Sequence, residues 1–257
     1  MDFKLKDKVV VVTSAGSGIG LATVRALAGE GARVVAGDLD LSAVDDQEVL
    51  AVPGDLTSDA GCVSLVKAAV DRYGRLDGLV NGLGLMVDRP DGFVSVTDEQ
   101  WTKTFQLNFF SAVRCARAAI PEMLNGGGGA VVNVTSSAGR EPFWRCPDYA
   151  VSKIAVLQLT KALSMEFGTK GIRVNAVMPG PTTTPGFLAD SQKRADETGV
   201  SLEEMVQEFS VKRRRMALPH PGAPEDVAPA IVFLLSDLAR QVTGSEYRVD
   251  GGAIQAI

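Results

Sequence analysis

Histidine and cysteine are scarce in this sequence, which has one histidine and three cysteines in 257 residues. Cys62, Cys115 and Cys146 are odd in number and match no metal-ligand spacing, so we predict neither a metal site nor a disulfide framework. Lysine and arginine number 26 against 31 acidic residues, which gives a formal net charge of -5 and no basic surface for nucleic acid. No apolar run reaches the ~18 residues of a membrane span. These features predict a cytoplasmic protein that binds neither nucleic acid nor membrane.

Short runs rich in β-branched residues alternate with longer helical patterns along the whole chain. The predicted strands are 8–13, 33–37, 49–53, 76–81, 130–134, 172–178 and 245–249. The predicted helices are 21–30, 58–73, 97–124, 151–167 and 224–239. This alternation predicts an α/β fold with a doubly wound, mainly parallel sheet of the Rossmann type. No linker divides the chain, so we expect a single domain over residues 1–257.

A glycine-rich turn follows the first predicted strand and opens the first predicted helix. Its residues are Ser14, Ala15, Gly16, Ser17, Gly18, Ile19 and Gly20. Glycines allow close approach of the backbone, and a helix N-terminus presents unpaired N–H groups, so the turn could hold a pyrophosphate. Glycines in a turn can also be there for the turn alone.

Asp38 ends the second predicted strand, eighteen residues after Gly20. An acidic residue there can accept hydrogen bonds from the ribose hydroxyls of an adenosine, and it repels a 2′-phosphate. Neither Ser17 nor the residues after Asp38, Leu39 and Asp40, would favour that phosphate. We therefore predict NAD rather than NADP as the cofactor.

Tyr149 and Lys153 are four residues apart, which would place them on one face of a helix. A phenol has a pKa near ~10, and a nearby ammonium lowers it, so the pair could transfer a proton near neutral pH. Ser136, thirteen residues upstream, could polarise a carbonyl. Alone, the pair is also compatible with a half-buried tyrosine beside a solvated lysine.

Taken together, these motifs resemble those of the classical short-chain dehydrogenase/reductase family over nearly the whole chain. Residues 13–20 are similar to its cofactor turn, 79–84 to its LVNNAG segment and 249–252 to its C-terminal signature. Asn108, Ser136, Tyr149 and Lys153 fall in the order of its catalytic tetrad. The resemblance implies further cofactor contacts at Asp55, Leu56, Asn81, Gly82, Pro179, Gly180, Thr182 and Thr184.

Two departures from the family pattern concern the cofactor side of the cleft. Ser14 replaces the first glycine of the turn. Gly82 and Leu83 replace asparagine and alanine, and Leu83 could narrow the cleft. Neither departure involves the tetrad.

The family resemblance implies hydride transfer between a nicotinamide and a secondary alcohol or ketone. Tyr149 would transfer the hydroxyl proton, and Lys153 would lower its pKa and bind the nicotinamide ribose. Ser136 would bond the reacting oxygen, and Asn108 would hold a water that links Lys153 to solvent. The family also implies a homotetramer built on the helices of Asn108 and Tyr149.

The substrate is predicted to be a small, hydrophobic or cyclic alcohol or ketone, oxidised if NAD is the cofactor. Candidate lining residues, which could equally be core, are Leu83, Met86, Phe143, Trp144, Phe187 and Phe209. Residues 186–216 read as short helices on a mobile substrate loop. Arg140 and Arg145 could meet a carboxylate, but a surface role is favoured. The run 213–215 could form an anion site, but a solvated helix face is favoured.

Two other functions remain open at this point. One is an NADPH-dependent 3-oxoacyl-carrier-protein reductase, against which Asp38 and the negative net charge argue. The other is a protein of this fold that binds NAD(H) without turnover, against which the complete tetrad argues.

Overall fold

One parallel sheet of seven strands forms the centre of the computed structural model, which describes residues 2–255. The strands are β1 (Val9–Thr13), β2 (Arg33–Asp38), β3 (Leu50–Pro53), β4 (Gly78–Asn81), β5 (Gly129–Val134), β6 (Ile172–Pro179) and β7 (Glu246–Val249). Their order in the sheet is β3-β2-β1-β4-β5-β6-β7, and every neighbouring pair is parallel. The predicted doubly wound Rossmann-type sheet and its single domain are confirmed.

Strand β1 lies between β2 and β4. The chain first adds β2 and β3 on one side of β1 and then crosses to the other side, where it adds β4 to β7. At such a reversal of strand order, the connections after neighbouring strands diverge and open a crevice at the carboxyl ends. The crevice therefore lies beyond Thr13 and Asn81, where the glycine turn begins.

Eight α-helices occur within residues 2–255, and α1, α2, α4, α5 and α8 pack against the sheet. They are α1 (Gly18–Gly29), α2 (Asp59–Tyr73), α3 (Asp98–Phe105), α4 (Ser111–Asn125), α5 (Pro147–Phe167), α6 (Pro185–Thr198), α7 (Leu202–Gln207) and α8 (Pro224–Leu235). Because side chains alternate along a strand, Val10 and Val12 pack in the core formed with α1 and α8, while Val9 and Val11 pack with α2 and α4. Burial on both faces explains why these strands read as continuous apolar runs.

Helix α5 begins at Pro147, four residues earlier than predicted. Cys146 is the N-cap residue, Pro147 occupies the first turn and Asp148 places a negative charge near the N-terminus. Proline is pre-organised for the first helical position, and an acid there interacts favourably with the helix dipole. As a result, Tyr149 lies in the first turn of α5.

The single helix predicted over 97–124 is interrupted by a π-helical segment, Gln106–Phe110, between α3 and α4. The predicted capping box at its start is present, since the Gln100 amide donates to Thr97 Oγ1 at 3.3 Å and the Thr97 amide donates to Gln100 Oε1 at 3.0 Å. The extra residue of a π turn is frequently associated with a functional site. Here that segment contains Asn108.

The segment 186–216 contains α6, α7 and a second π-helical segment, Glu208–Lys212, as the prediction of short helices requires. Thr184 caps α6 by accepting the Phe187 amide at 3.3 Å. The mobility of this segment stays a prediction. None of the helices in residues 2–255 combines the length and apolar character needed to cross a membrane.

Candidate active site

The glycine turn between β1 and α1 is packed too closely for side chains at two of its glycines. A Cβ atom on Gly16 would lie 1.9 Å from the Asp40 carbonyl oxygen, and one on Gly20 would lie 1.8 Å from the Ser14 carbonyl oxygen. Gly18 has a φ of +51° and approaches the Thr184 side chain. The turn therefore brings the start of α1 close to the loop after β6, across the mouth of the crevice.

Ser14 occupies a left-handed backbone conformation, with a φ of 56°. This conformation costs a non-glycine residue ~1 kcal/mol, which is why a glycine is favoured at this position. The departure noted in the sequence is therefore a site of local strain. Ser14 nevertheless lines the crevice, together with Ser17 and Ile19.

Asp38 lies at the carboxyl end of β2 and is fixed by two backbone amides. Its Oδ2 accepts a hydrogen bond from the Gly16 amide at 3.0 Å, and its Oδ1 accepts one from the Leu39 amide at 2.7 Å. The carboxylate is thus oriented beside the glycine turn. This is the position from which a carboxylate can bind ribose hydroxyls.

Asp55 and Leu56 follow β3 at the same rim of the sheet. Asp55 Oδ1 accepts hydrogen bonds from the Thr57 hydroxyl at 2.6 Å and the Thr57 amide at 2.9 Å, which lower the pKa of Asp55. The Leu56 side chain is buried in the core, so only its backbone is available to a ligand.

Asn81 and Gly82 form the end of β4. The Asn81 side-chain Nδ2 donates to Asn133 Oδ1 at 2.8 Å, and Asn133 Nδ2 in turn donates to the Thr160 hydroxyl on α5 at 2.9 Å. The buried Asn81 Oδ1 has no hydrogen-bond partner within residues 2–255. The Gly82 amide donates to the Thr13 hydroxyl at 2.9 Å, which joins the ends of β1 and β4.

Ser136, Tyr149 and Lys153 converge on one wall of this crevice. Tyr149 is half-buried and interacts with the Ser136 hydroxyl. Lys153 is buried one helical turn further along α5, with its Nζ 5.9 Å from the centre of the Tyr149 ring. A hydroxyl, a phenol and an ammonium are thus available to one reacting group.

The expectation that Lys153 lowers the pKa of Tyr149 is wrong for this structure. Burial raises the pKa of Tyr149, and the interactions with Ser136 and Arg214 only partly offset that effect. Lys153 Nζ donates instead to the backbone carbonyls of Val134 at 3.0 Å and Leu83 at 3.4 Å. Burial also lowers the pKa of Lys153 to about 8, because the charged form is poorly solvated there.

Asn108 is buried beneath the crevice and does not face it. Its Oδ1 accepts the Leu85 amide at 2.8 Å, and its Nδ2 donates to the Leu85 carbonyl at 3.2 Å and the Ser152 hydroxyl at 3.0 Å. Asn108 therefore holds the loop after β4 against α5. The side chain is 1% exposed, so this asparagine within a helical region does not face solvent.

The loop after β6 forms the opposite wall. The Thr182 hydroxyl donates to the Gly180 carbonyl at 3.0 Å, and Thr182 also pairs with Gly222 in an isolated bridge. A Cβ atom on Gly180 would lie 2.7 Å from Asp250 Cα, so the C-terminal signature packs directly on this loop.

The crevice has a volume of about 360 Å³ and brings together most of the predicted site residues. Those lining it are Ser14, Ser17, Gly18, Ile19, Gly20, Gly82, Ser136, Tyr149, Lys153, Pro179, Gly180, Thr182 and Thr184. Gly16, Asp38, Asp55, Leu56, Asn81 and Asn108 are not among its lining residues. Gly16 lies in the turn at the mouth of the crevice, and Asp38 lies beside that turn at the end of β2. Asn81 and Asn108 lie behind the crevice wall.

Of the six apolar residues predicted as candidate lining, four line the crevice, and their contact with a substrate stays a prediction. Met86, Phe143, Phe187 and Phe209 line the crevice. Leu83 packs against the core instead, and Trp144 is 61% exposed at the surface.

The three arginines at this end of the crevice have different surroundings. Arg140 pairs with Glu246 at 2.7 Å and Arg145 pairs with Asp88, and neither arginine lines the crevice. Arg214, which the sequence interpretation placed on a solvated face, lines the crevice. Arg214 follows the π-helical segment Glu208–Lys212, which no periodicity in the sequence indicated.

A dinucleotide fits the residues present. The close-packed glycines leave the backbone of the turn open to a phosphate, Asp38 is oriented beside it, and Lys153 lines the crevice with a buried ammonium. Two of the three N–H donors of that ammonium are used by backbone carbonyls, so one remains for a ligand. No group of three potential metal ligands occurs within residues 2–255.

Comparisons with known proteins agree with this geometry. The family profile described as enoyl-(acyl carrier protein) reductase matches residues 14–253. Cyclohexanol dehydrogenase of Acinetobacter sp. strain SE19 is 34% identical over 264 residues, covering 98% of this chain and 96% of that one. The 3-oxoacyl-[acyl-carrier-protein] reductase of Thermotoga maritima is 34% identical over 260 residues, covering 98% and 99%.

The fold is also shared with solved structures. L-sorbose reductase from Gluconobacter frateurii, complexed with NADPH and L-sorbose, superposes with a TM-score of 0.93 at 30% identity and full coverage of both chains. The suspected resemblance is thereby confirmed, and with it an enzyme that uses a nicotinamide cofactor and acts on CH–OH groups. The chain belongs to the short-chain dehydrogenase/reductase family.

Proposed function

We propose that this protein is an NAD-dependent oxidoreductase that transfers a hydride between the nicotinamide and a hydrophobic or cyclic secondary alcohol or ketone. The observation that carries the proposal is the convergence of Ser136, Tyr149 and Lys153 on the crevice that begins at the glycine turn. When bound, the nicotinamide supplies or accepts the hydride. The residues described below bind the cofactor, orient the reacting groups and transfer the proton.

Tyr149 transfers the proton of the reacting oxygen. Because burial raises its pKa, the phenol of the free protein stays protonated at neutral pH and is ready to donate in ketone reduction. Ser136 donates a hydrogen bond to the same oxygen and stabilises the charge that develops on it. Lys153 uses its remaining N–H donor to orient the nicotinamide ribose.

Asn108 contributes by fixing the Leu85 backbone and Ser152. Its Oδ1 and Nδ2 already have protein partners, which gives Asn108 a structural role. We propose a water relay to Lys153 as a second role of the same residue. The backbone of the glycine turn binds the pyrophosphate. Asp55, Leu56, Asn81 and Gly82 bind the adenosine and ribose side, and the 179–184 loop binds the carboxamide.

NAD is proposed over NADP because of Asp38. The Gly16 amide holds the Asp38 carboxylate beside the turn. There the carboxylate accepts hydrogen bonds from the ribose hydroxyls and repels a 2′-phosphate. The residues that follow, Leu39 and Asp40, bring no positive charge. Because the Gluconobacter reductase was solved with NADPH, the affinities of this protein for NADH and NADPH have to be measured separately.

The substrate end supports an apolar molecule. Phe209 contacts Phe143 and Phe187 with ring centroids 5.8 and 5.9 Å apart, and all three line the crevice. The relationship to cyclohexanol dehydrogenase agrees with a cyclic substrate. We propose that residues 186–216, which supply Phe187 and Phe209, form the substrate loop.

A homotetramer is part of the proposal. Apolar side chains of Phe110, at the start of α4, and of Val151 and Met165, on α5, are exposed in the single chain, with Met165 at 73%. Large exposed apolar side chains on neighbouring helices are typical of a surface covered by another subunit. The mass of the purified protein in solution tests this directly.

The test of function is a screen of secondary alcohols with NAD and ketones with NADH, followed at 340 nm. Tyr149→Phe should reduce turnover to less than about a tenth while NADH fluorescence still reports binding. Tyr73→Phe, at the end of α2 and away from the crevice, is the matched control. A Tyr149→Phe enzyme with more than about a tenth of the wild-type rate would refute the assignment.

A second candidate, 3-oxoacyl-carrier-protein reductase, is favoured only by the relationship to the Thermotoga enzyme. It requires NADPH and a carrier-linked substrate, so the same screen with NADPH and a 3-oxoacyl thioester distinguishes it. NADH binding without turnover of any substrate would favour a non-catalytic protein.

A further inference from the structure

Arg214 reaches the substrate end of the crevice although both of its neighbours, Arg213 and Arg215, are exposed. The Arg214 side chain is half-buried. Its Nη1 donates to the Glu141 carbonyl and its Nη2 to the Ser137 hydroxyl, each at 3.1 Å. These bonds fix the guanidinium next to the segment that carries Ser136.

The other arginines near this wall are neutralised by carboxylates. The pairs are Arg89 with Asp148, Arg145 with Asp88, Arg194 with Asp88 and Asp190, and Arg140 with Glu246. Arg214 has no ion pair within residues 2–255, since both of its partners are uncharged oxygen atoms. Asp190 also lines the crevice, but Arg194 holds it at 2.9 Å.

No carboxylate of residues 2–255 offsets the charge of the half-buried Arg214 guanidinium, so an anionic ligand in the crevice would gain a charge-assisted contact there. The guanidinium has five N–H donors, and two are used by Ser137 and Glu141. The remaining donors allow a charge-assisted contact with a carboxylate. The crevice thus offers three surfaces to one small molecule: the Ser136 and Tyr149 hydroxyls, the apolar wall of Phe143 and Phe209, and this cation.

We propose that Arg214 binds a carboxylate of the substrate, so that the preferred substrates are hydroxy or keto acids with an apolar or aromatic body. The carboxylate is a recognition group and is unchanged in the reaction. The proposal rests on the proposed function, because it names the substrate class of the same site. Arg214 is a specificity-determining residue in this proposal, separate from the proton-transfer residues.

The decisive experiment measures binding without turnover. Calorimetry on the full chain compares 3-phenylpropanoate with 3-phenylpropanamide, which have the same apolar body and differ in charge. Wild-type protein should bind the carboxylate about tenfold more tightly or better, as expected for one charge-assisted contact. Arg214→Gln should reduce this ratio to about one, and Arg214→Lys should give an intermediate ratio.

Arg213→Gln is the matched control, because Arg213 is the exposed neighbour. It should keep the wild-type ratio. A wild-type ratio near one, or no measurable binding of the carboxylate, would overturn the proposal without reference to any variant. Equal weakening of both compounds in Arg214→Gln would also overturn it, since that result indicates a structural role only.

The result is separable from the proposed oxidoreductase function. Turnover of neutral alcohols with no preference for the carboxylate refutes the role of Arg214 and leaves the enzyme assignment intact. A preference for the carboxylate that depends on Arg214, with no turnover of any alcohol or ketone, supports the binding site and refutes the catalytic assignment.

Discussion

The Gly16 amide donates a hydrogen bond to the Asp38 carboxylate at 3.0 Å, which joins the glycine turn to the end of β2. This bond fixes the one negative charge that faces the proposed adenosine ribose site from β2. Asp38 therefore holds the glycine turn and, in our proposal, also discriminates between NAD and NADP. A substitution that tests the second function must preserve the first.

Asp38→Asn removes the charge and keeps an oxygen that can accept the Gly16 amide. We expect the ratio of NADP to NAD affinity to rise by about tenfold or more, because a unit charge a few ångströms from a 2′-phosphate costs on the order of 1–2 kcal/mol. NADH and NADPH fluorescence titrations measure the two affinities. Asp71→Asn, at an exposed aspartate near the end of α2, should leave the ratio unchanged. An unchanged preference in Asp38→Asn would show that the cofactor assignment is wrong.

Gly20 is expected to tolerate no side chain. Gly20→Ala would place a Cβ atom 1.8 Å from the Ser14 carbonyl oxygen, so the turn must open. We expect a loss of about 2 kcal/mol or more in stability, together with weaker NADH binding, because the strain falls on the phosphate-binding backbone.

Gly29 lies in the same helix and provides the control. A Cβ atom there meets nothing within 4 Å, so Gly29→Ala should be neutral or stabilising by up to about 1 kcal/mol. Urea unfolding of the two variants measures the difference. Similar stabilities would contradict the packing described for the turn.

The stability of the protein should depend on pH through Lys153. The pKa of Lys153 is about 8 in the folded chain and 10.5 in the reference state, so between these values the unfolded chain holds a proton that the folded chain has released. The free energy of unfolding therefore rises with pH across this window, by about 3 kcal/mol from this group. Below pH 8 both states are charged, and the cost of burying the ammonium is fully present.

Urea unfolding of the cofactor-free wild type and Lys153→Met between pH 7.5 and 10.5 isolates this contribution. Wild type should gain stability relative to Lys153→Met as the pH rises through the window. Lys161→Met, at an exposed position two turns further along α5, should run parallel to wild type. A constant difference between wild type and Lys153→Met would argue against a buried, poorly solvated ammonium.

Most of the fold was predictable because its strands are buried on both faces. Four of the five β1 residues are buried valines, and β5 is apolar apart from Gly129 and the buried Asn133, so both strands stand out from the sequence. The order of the tetrad was equally visible, since it depends only on spacing along the chain. The start of α5 was missed because Pro147 was not recognised as a helix-initiating residue.

The charges within the crevice were not predictable from spacing. Lys153 lies one turn from Tyr149, as expected, but its ammonium bonds to the Val134 and Leu83 carbonyls, which a sequence does not reveal. Arg214 lies in the turn that follows a π-helical segment, and residue spacing reveals neither feature. The same kind of irregularity places Asn108, whose three partners come from two other segments.

Asn108→Ala is expected to lower the stability of the protein more than the same substitution at an exposed asparagine. Asn108→Ala removes the three hydrogen bonds that the buried Asn108 side chain makes with the Leu85 amide, the Leu85 carbonyl and the Ser152 hydroxyl. A hydrogen bond contributes about 1 kcal/mol on average, so we expect a loss of about 2–4 kcal/mol in the free energy of unfolding. Asn125→Ala, at the exposed end of α4, should change stability by less than about 0.5 kcal/mol. Denaturant unfolding measures both, and a loss below about 1 kcal/mol for Asn108→Ala would mean that the loop after β4 is held by other contacts.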